Sequence, residues 1–185
     1  MLFKKEDWTH PYQEGLPNSL FQENRQKFLT LFRSKAKQNS IAFFKGIGEI
    51  PLYNSDVNYP FYQEGNFYYL FGVQEPDCYG ALEVDSGKTV LFVPKMSNLY
   101  KIWMTVLSAE DFKTKYDVDE VVYVEEMSEW LVKRAAEKVY LNAGINSDSG
   151  TENILPEEKY WKDLAGIDKE AMYEVLAESR VTKTA

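Results

Sequence analysis

One histidine and one cysteine stand among 185 residues. That scarcity excludes most metal and nucleophile chemistry at once. A single histidine rules out most zinc-ligand spacings, and the only Cys-His pair would be Cys78 with His10, which nothing in the sequence brings together. A lone cysteine permits no internal disulfide, which fits a reducing compartment. The chain has no Asn-x-Ser/Thr glycosylation site and no Gly-x-Ser-x-Gly nucleophile elbow. No apolar run reaches the length of a membrane span, and the opening, Met1 to Asp7, turns charged too soon for a signal peptide. The expected compartment is the cytosol, with no membrane partner. Positive charge is also short: Lys and Arg number 21 against 29 Asp and Glu, a net charge of −8. A phosphate-binding groove needs clustered Lys and Arg, so nucleic acid is not an expected partner. The acidic residues between Glu110 and Glu129, with Glu125 and Glu126 adjacent, read as solvated helix faces. The sharper alternative is an acidic surface for a basic partner.

What is present suits one folded domain. The length supports a single core, and 44% hydrophobic with 15% aromatic content is ordinary for a globular chain. After an irregular lead-in over 1–17, a helix is expected over 18–38. Asn18 or Ser19 would cap it, Phe21, Phe28, Leu31 and Phe32 form its apolar side, and basic residues fill its latter half. Residues 40–45 read as a buried strand and 49–59 as a loop. A short helix or ordered loop is expected over 97–104. Ser108 with Asp111 forms a capping box for the next helix. A strand over 118–124, an amphipathic helix over 126–138 and a strand over 139–141 follow. Residues 142–158 form a long polar stretch before a last helix over 168–178. Alternating strands and helices make an α/β domain.

The densest stretch runs from 56 to 94. Its first half crowds aromatics between Pro60 and Gly72, as a buried layer would. Glu75-Pro76-Asp77 is a turn, and Ser86-Gly87 links two strands, 79–85 and 88–94, as a tight hairpin. Look-alike motifs fail on their context. Ser86-Gly87-Lys88-Thr89 copies the tail of a phosphate-binding loop, but Leu82 stands where its first glycine belongs, and a strand follows. Gly46-Ile47-Gly48 lacks the third glycine of a dinucleotide fingerprint. Asp56, Glu64, Asp77 and Asp85 could gather round a metal only by converging on one sheet edge; turn caps and strand ends explain them more simply. His10 reads as a surface or packing residue and Cys78 as a small buried hydrophobe.

Asp56, Tyr59-Pro60-Phe61, Gln63-Glu64, Phe67-Tyr68-Tyr69-Leu70, Gly72 and Glu75-Pro76-Asp77 occur in an order that resembles the N-terminal domain of the creatinase/aminopeptidase P/prolidase family. Leu91 to Pro94 followed by Ile102-Trp103-Met104 resembles a further part of that domain. Residues 144–150 are similar to a segment of prolidases, the Xaa-Pro dipeptidases. The resemblance covers roughly residue 10 onward. It implies a ribonuclease H-like fold, a mixed sheet of about five or six strands flanked by helices. It also implies a domain over 1–178, with 179–185 beginning a linker to a catalytic domain absent from this chain.

The family's catalytic half resembles a pita-bread fold and holds two divalent metal ions, manganese being the metal implied, on two Asp, one His and two Glu. None of those motifs can be placed on this chain, so no catalytic or metal residue is assigned here. The implied role is the non-catalytic N-terminal domain of an Xaa-Pro dipeptidase, which hydrolyses dipeptides ending in proline. It would support a homodimer and limit access to the active site, with the chain's own catalytic domain and the dipeptide substrate as partners; alone, it should be inactive. Trp103 is the candidate for substrate access in trans, reaching the partner subunit's active site, where an aromatic would exclude water. The alternative is a side chain packed between helix and sheet. Thr105 stands where the family often has glycine, and Tyr62 where it often has arginine, so any ion pair of that arginine is missing. A second hypothesis is an inactive binding module for a basic peptide or protein, as in the peptidase-like region of the FACT histone chaperone.

Overall fold

The computed structural model describes residues 16–102, 104–162, 164 and 166–181. Six strands form one sheet in the order β4-β3-β2-β1-β5-β6: β1 (Ser40–Lys45), β2 (Tyr79–Glu83), β3 (Thr89–Val93), β4 (Glu120–Tyr123), β5 (Lys138–Leu141) and β6 (Ile167–Asp168). β2 is antiparallel to both neighbours, β1 and β3, while every other pairing is parallel. One strand therefore opposes five, and the expected mixed α/β sheet is what forms.

β2 and β3 are buried along their whole length, and β1 all but its last residue. That follows from near-continuous apolar sequence covered on both faces. Alternation divides the side chains. Ala42 and Phe44 join the core under helices α1 (Asn18–Phe32), α2 (Gly65–Phe71), α3 (Ala109–Tyr116) and α5 (Ala171–Val181). Ile41 and Phe43 face the other way, toward α4 (Met127–Arg134) and the 155–167 stretch. Aromatic pairs stitch each layer. Phe32 meets Tyr140 edge-on with centroids 4.9 Å apart, and Phe67 stacks on Phe71 at 5.0 Å; on the far face Phe92 meets Trp130 at 5.3 Å.

Several elements depart from expectation for local reasons. α1 stops at Phe32 rather than 38, and Pro17 stands at its N-cap, with neither Asn18 nor Ser19 capping it. Of the basic residues expected in its latter half, Arg25 and Lys27 lie within it and Arg33, Lys35 and Lys37 beyond it. Arg33 donates to the carbonyls of Val84 and Asp85 at 2.8 and 3.1 Å, tying the helix end to the β2–β3 turn. The crowded aromatics over 65–71 form helix α2, with Phe67, Leu70 and Phe71 buried, whereas Tyr59 and Tyr62 before it are exposed. α4 ends at Arg134 with Ala135 in a left-handed conformation, and the two-residue β6 was not foreseen. The β2–β3 turn spans 84–88 rather than two residues, with Gly87 at φ +76°. The capping box Ser108/Asp111 is present on α3, as its sequence indicates.

Candidate functional site

Trp103 and His10 lie outside the described residues. What surrounds position 103 is described. β3 runs out of the sheet at Val93, and a single 3-10 turn, Asn98–Ile102, follows with no buried residue. Its backbone is held locally: Leu99 N–H donates to Ser97 Oγ, and Met104 N–H to the carbonyl of Tyr100. Met96, Leu99, Tyr100, Ile102 and Met104 are all exposed, Leu99 at 72% and Ile102 at 71%. An open depression of about 520 Å³ lies against Ile102, Met104, Thr105 and Val106. Five exposed large apolar side chains in so short a segment form a surface suited to contact.

A second exposed strip precedes α2. Leu52 N–H donates to Val57 O and Tyr59 N–H to Ile50 O, closing a small loop that presents Tyr53, Val57, Tyr59 and Tyr62 to solvent. Gln63 anchors it. Its amide Nε2 donates to the carbonyls of Val73 and Glu75, and its Oε1 accepts from the N–H groups of Ile47 and Glu64. Glu64 then caps α2 by accepting from Phe67 N–H at 2.6 Å. A Cβ on Gly46 would lie 2.9 Å from both Cys78 O and Gln63 Oε1, and one on Gly80 only 2.3 Å from the Phe71 ring. The Gln-Glu pair and these glycines thus position the strip rather than take part in chemistry. The sequence marks Gln63 only as part of a motif; a half-buried amide serving separate backbone segments has no spacing signature.

Several other polar groups hold the fold. Arg25 is buried, donating to the carbonyls of Leu70 and Asp117; burial lowers its pKa while Asp117 and Asp119 oppose that. Glu157 accepts from Tyr79 Oη at 2.6 Å and pairs with Lys45 at 2.7 Å. Burial pushes its pKa up, but hydrogen bonds from Lys45 and Tyr79 outweigh burial and hold it low. Burial, then the bond to Glu157, pushes the Tyr79 phenol far up. Tyr116 donates to Glu75, which also pairs with Lys115 at 2.6 Å. Glu83 is buried, with Oε2 held by Arg134 at 2.7 Å and by Ser86 Oγ, while its Oε1 has no partner among the described residues.

Cys78 is fully buried, and burial with nearby Glu75 and Asp77 keeps it a thiol. Of the four carboxylates weighed for metal, Glu64 caps a helix, Asp85 accepts from Asn39 N–H, Asp77 occupies a left-handed turn position, and Asp56 is exposed. Among the described residues, no three His, Cys, Asp or Glu side chains are placed to hold a metal ion, so the described donors do not fit one. No described helix is long and apolar enough to cross a membrane.

The profile of the family described as "Aminopeptidase P, N-terminal domain" matches residues 21–140. Human Xaa-Pro dipeptidase is 38% identical over 139 residues, 74% of this chain and 28% of that protein. The chain thus spans under a third of that relative. A putative aminopeptidase P from Bacillus anthracis superposes with a TM-score of 0.69 at 21% identity, over 91% of this chain and 41% of that one. Zn-substituted E. coli aminopeptidase P in complex with product gives 0.58 at 22% identity, over 73% and 30%.

Proposed function

The chain belongs to the aminopeptidase P N-terminal domain family, and from that membership we propose that it is the non-catalytic N-terminal domain of a cytosolic, metal-dependent Xaa-Pro dipeptidase. The domain occupies 1–178, and the segment from 179 leads toward a catalytic domain. That second domain holds the divalent metal ions, manganese in this reading, and cleaves dipeptides ending in proline. The N-terminal domain supports a homodimer and narrows entry to the partner's active site. Trp103 is assigned to that entry, with its apolar neighbours Leu99, Ile102 and Met104 meeting the opposing surface. The observation that carries the proposal is the 38% identity with human Xaa-Pro dipeptidase over a region that is only 28% of that protein. The exposed apolar turn beside Trp103 agrees with it.

The test measures Gly-Pro hydrolysis with added manganese, by this chain and by the protein extended through the end of its reading frame. Activity is expected only in the extended protein, where Trp103→Ala lowers kcat/KM without shifting Tm. Hydrolysis by this chain alone would mean that its own carboxylates form a metal site. Inactivity of both would overturn the dipeptidase assignment in favour of a binding module.

A further inference from the structure

β4 ends the sheet, paired with β3 and, among the described residues, with nothing beyond it. Glu83 N–H donates to Lys88 O, and Val90 and Phe92 continue that pairing opposite Ala81 and Tyr79, so these β3 residues turn their backbone groups toward β2. Backbone groups alternate sides along a strand, so Thr89, Leu91 and Val93 turn theirs toward β4. In the parallel register, with Val90 opposite Glu120 and Phe92 opposite Val122, these meet the backbone of Glu120 and Val122, while Val121 and Tyr123 turn theirs outward. The Tyr123 carbonyl begins the short 3-10 turn 124–126, so the edge offers the N–H and C=O of Val121 and the N–H of Tyr123, the template a further strand needs.

The edge is not bare. A groove of about 420 Å³ runs beside it, lined by Val121, Val122, Glu126, Glu129, Trp130 and Lys133. Glu120 holds the groove's aromatic wall, accepting from Trp130 Nε1 at 3.1 Å while pairing with Lys88 at 2.6 Å. Glu126 and Glu129 are exposed, and no ion pair among the described residues engages them. An edge-to-edge pairing with a second copy would set these carboxylates against their own likeness, in a chain already at net charge −8. A basic strand meets the same groups favourably.

We propose that β4 is a docking edge for an extended, basic peptide segment, which adds to the sheet as a seventh strand. Its backbone pairs with Val121 and Tyr123. Its Lys or Arg side chains, on alternate residues and so on one face, lie over Glu126 and Glu129, and their stems cover Trp130. This role is independent of the dipeptidase reading.

The probe is a fluorescein-labelled ten-residue peptide alternating Lys with Val and Thr, titrated into the full chain by fluorescence anisotropy at low salt. Amide hydrogen exchange is followed in parallel. Binding is expected, with slowed exchange at the Val121 and Tyr123 amides and little binding of the same peptide with Glu in place of Lys. Reversing both exposed charges (Glu126→Lys with Glu129→Lys) should weaken binding by about tenfold or more, a loss that salt mimics. Methylating every second peptide nitrogen, in one of the two registers, should abolish it. The proposal is overturned if the basic peptide fails to bind at millimolar concentration. It is also overturned if both methylated peptides bind as well as the parent, which would mean charge attraction alone. Protection of Val121 and Tyr123 that rises with the concentration of the chain by itself would identify a second copy as the occupant instead.

Discussion

Gln63 shows what a single side chain does in this protein. Its amide joins the strand-exit residue Ile47, the helix-entry residue Glu64 and the carbonyls of Val73 and Glu75. No other described group replaces it, so truncation leaves several backbone groups without partners in a half-buried place. Each lost bond is worth about 0.5–1.5 kcal/mol net. Gln63→Ala should therefore destabilise by about 2–3 kcal/mol in urea unfolding, whereas Tyr62→Ala beside it, 78% exposed, should stay within about 0.5 kcal/mol. Equal effects at the two positions would refute the anchoring role. The contrast marks how far the residue scale was legible. Apolar identity foretold burial of Phe28, Phe32, Phe43 and Cys78, because area alone decides such positions. Polar identity did not foretell which amide would bridge two loops. That depends on where the chain returns in the fold, at Ile47 16 residues before Gln63 and at Glu75 12 residues after it. For Trp103, a tryptophan's size suits core and contact surface alike, and only its exposed neighbours distinguish the segment.

Elements are legible in the sequence where local chemistry is decisive and less so where tertiary contacts override it. The Ser108/Asp111 box is local, and α3 starts where it says. The run 65–71, rich in Phe and Tyr, has β-favouring composition, yet it is helical because Glu64 caps it and Gly72 ends it at φ +67° with the Phe21 ring against it. β6 has only two residues and gives no period to detect. Its second residue, Asp168, starts α5, accepting from the N–H groups of Glu170 and Ala171 at 3.0 Å each and pairing with Lys138 at 3.1 Å. Burial raises its pKa, but those backbone donors and Lys138 outweigh burial and hold it below the usual carboxylate range. A folded pKa below the unfolded one stabilises at pH above the unfolded value, near about 3.9, and loses that stabilisation as pH falls through the folded value. Asp168→Asn keeps an oxygen for both N–H groups, so at pH 7 it should cost less than the roughly 1 kcal/mol of a lost helix cap, the loss being that of the charge facing Lys138 and the helix N-terminus. Thermal melts from pH 7 to pH 2 should bring the two proteins together at the acid end. A gap that stays constant across that range would mean the charge is irrelevant.

At the scale of the whole molecule, the alternation of strands and helices made an α/β sheet legible, but not which strand lies at its edge. Chain order places β4 between β3 and β5, whereas in space β4 caps one end of the sheet and β5 lies across it beside β1. That crossing leaves β1 at the centre, covered on both faces, and leaves the described residues of the turn after β3 outside both core clusters. Stability should follow the same division. The amides of Ala42 and Phe43 should exchange only when the whole domain unfolds, at a free energy on the order of 5–15 kcal/mol. Those of Tyr100 to Ile102 should exchange through local opening that costs far less. A segment that must close against another surface has to come from the weakly held end of that range, because side chains committed to their own core cannot also be offered outside it. Native-state hydrogen exchange on this chain decides the matter. Slow exchange at Ile102, comparable to Phe43, would place the turn in the rigid body and remove the physical basis for Trp103 acting on an opposing active site.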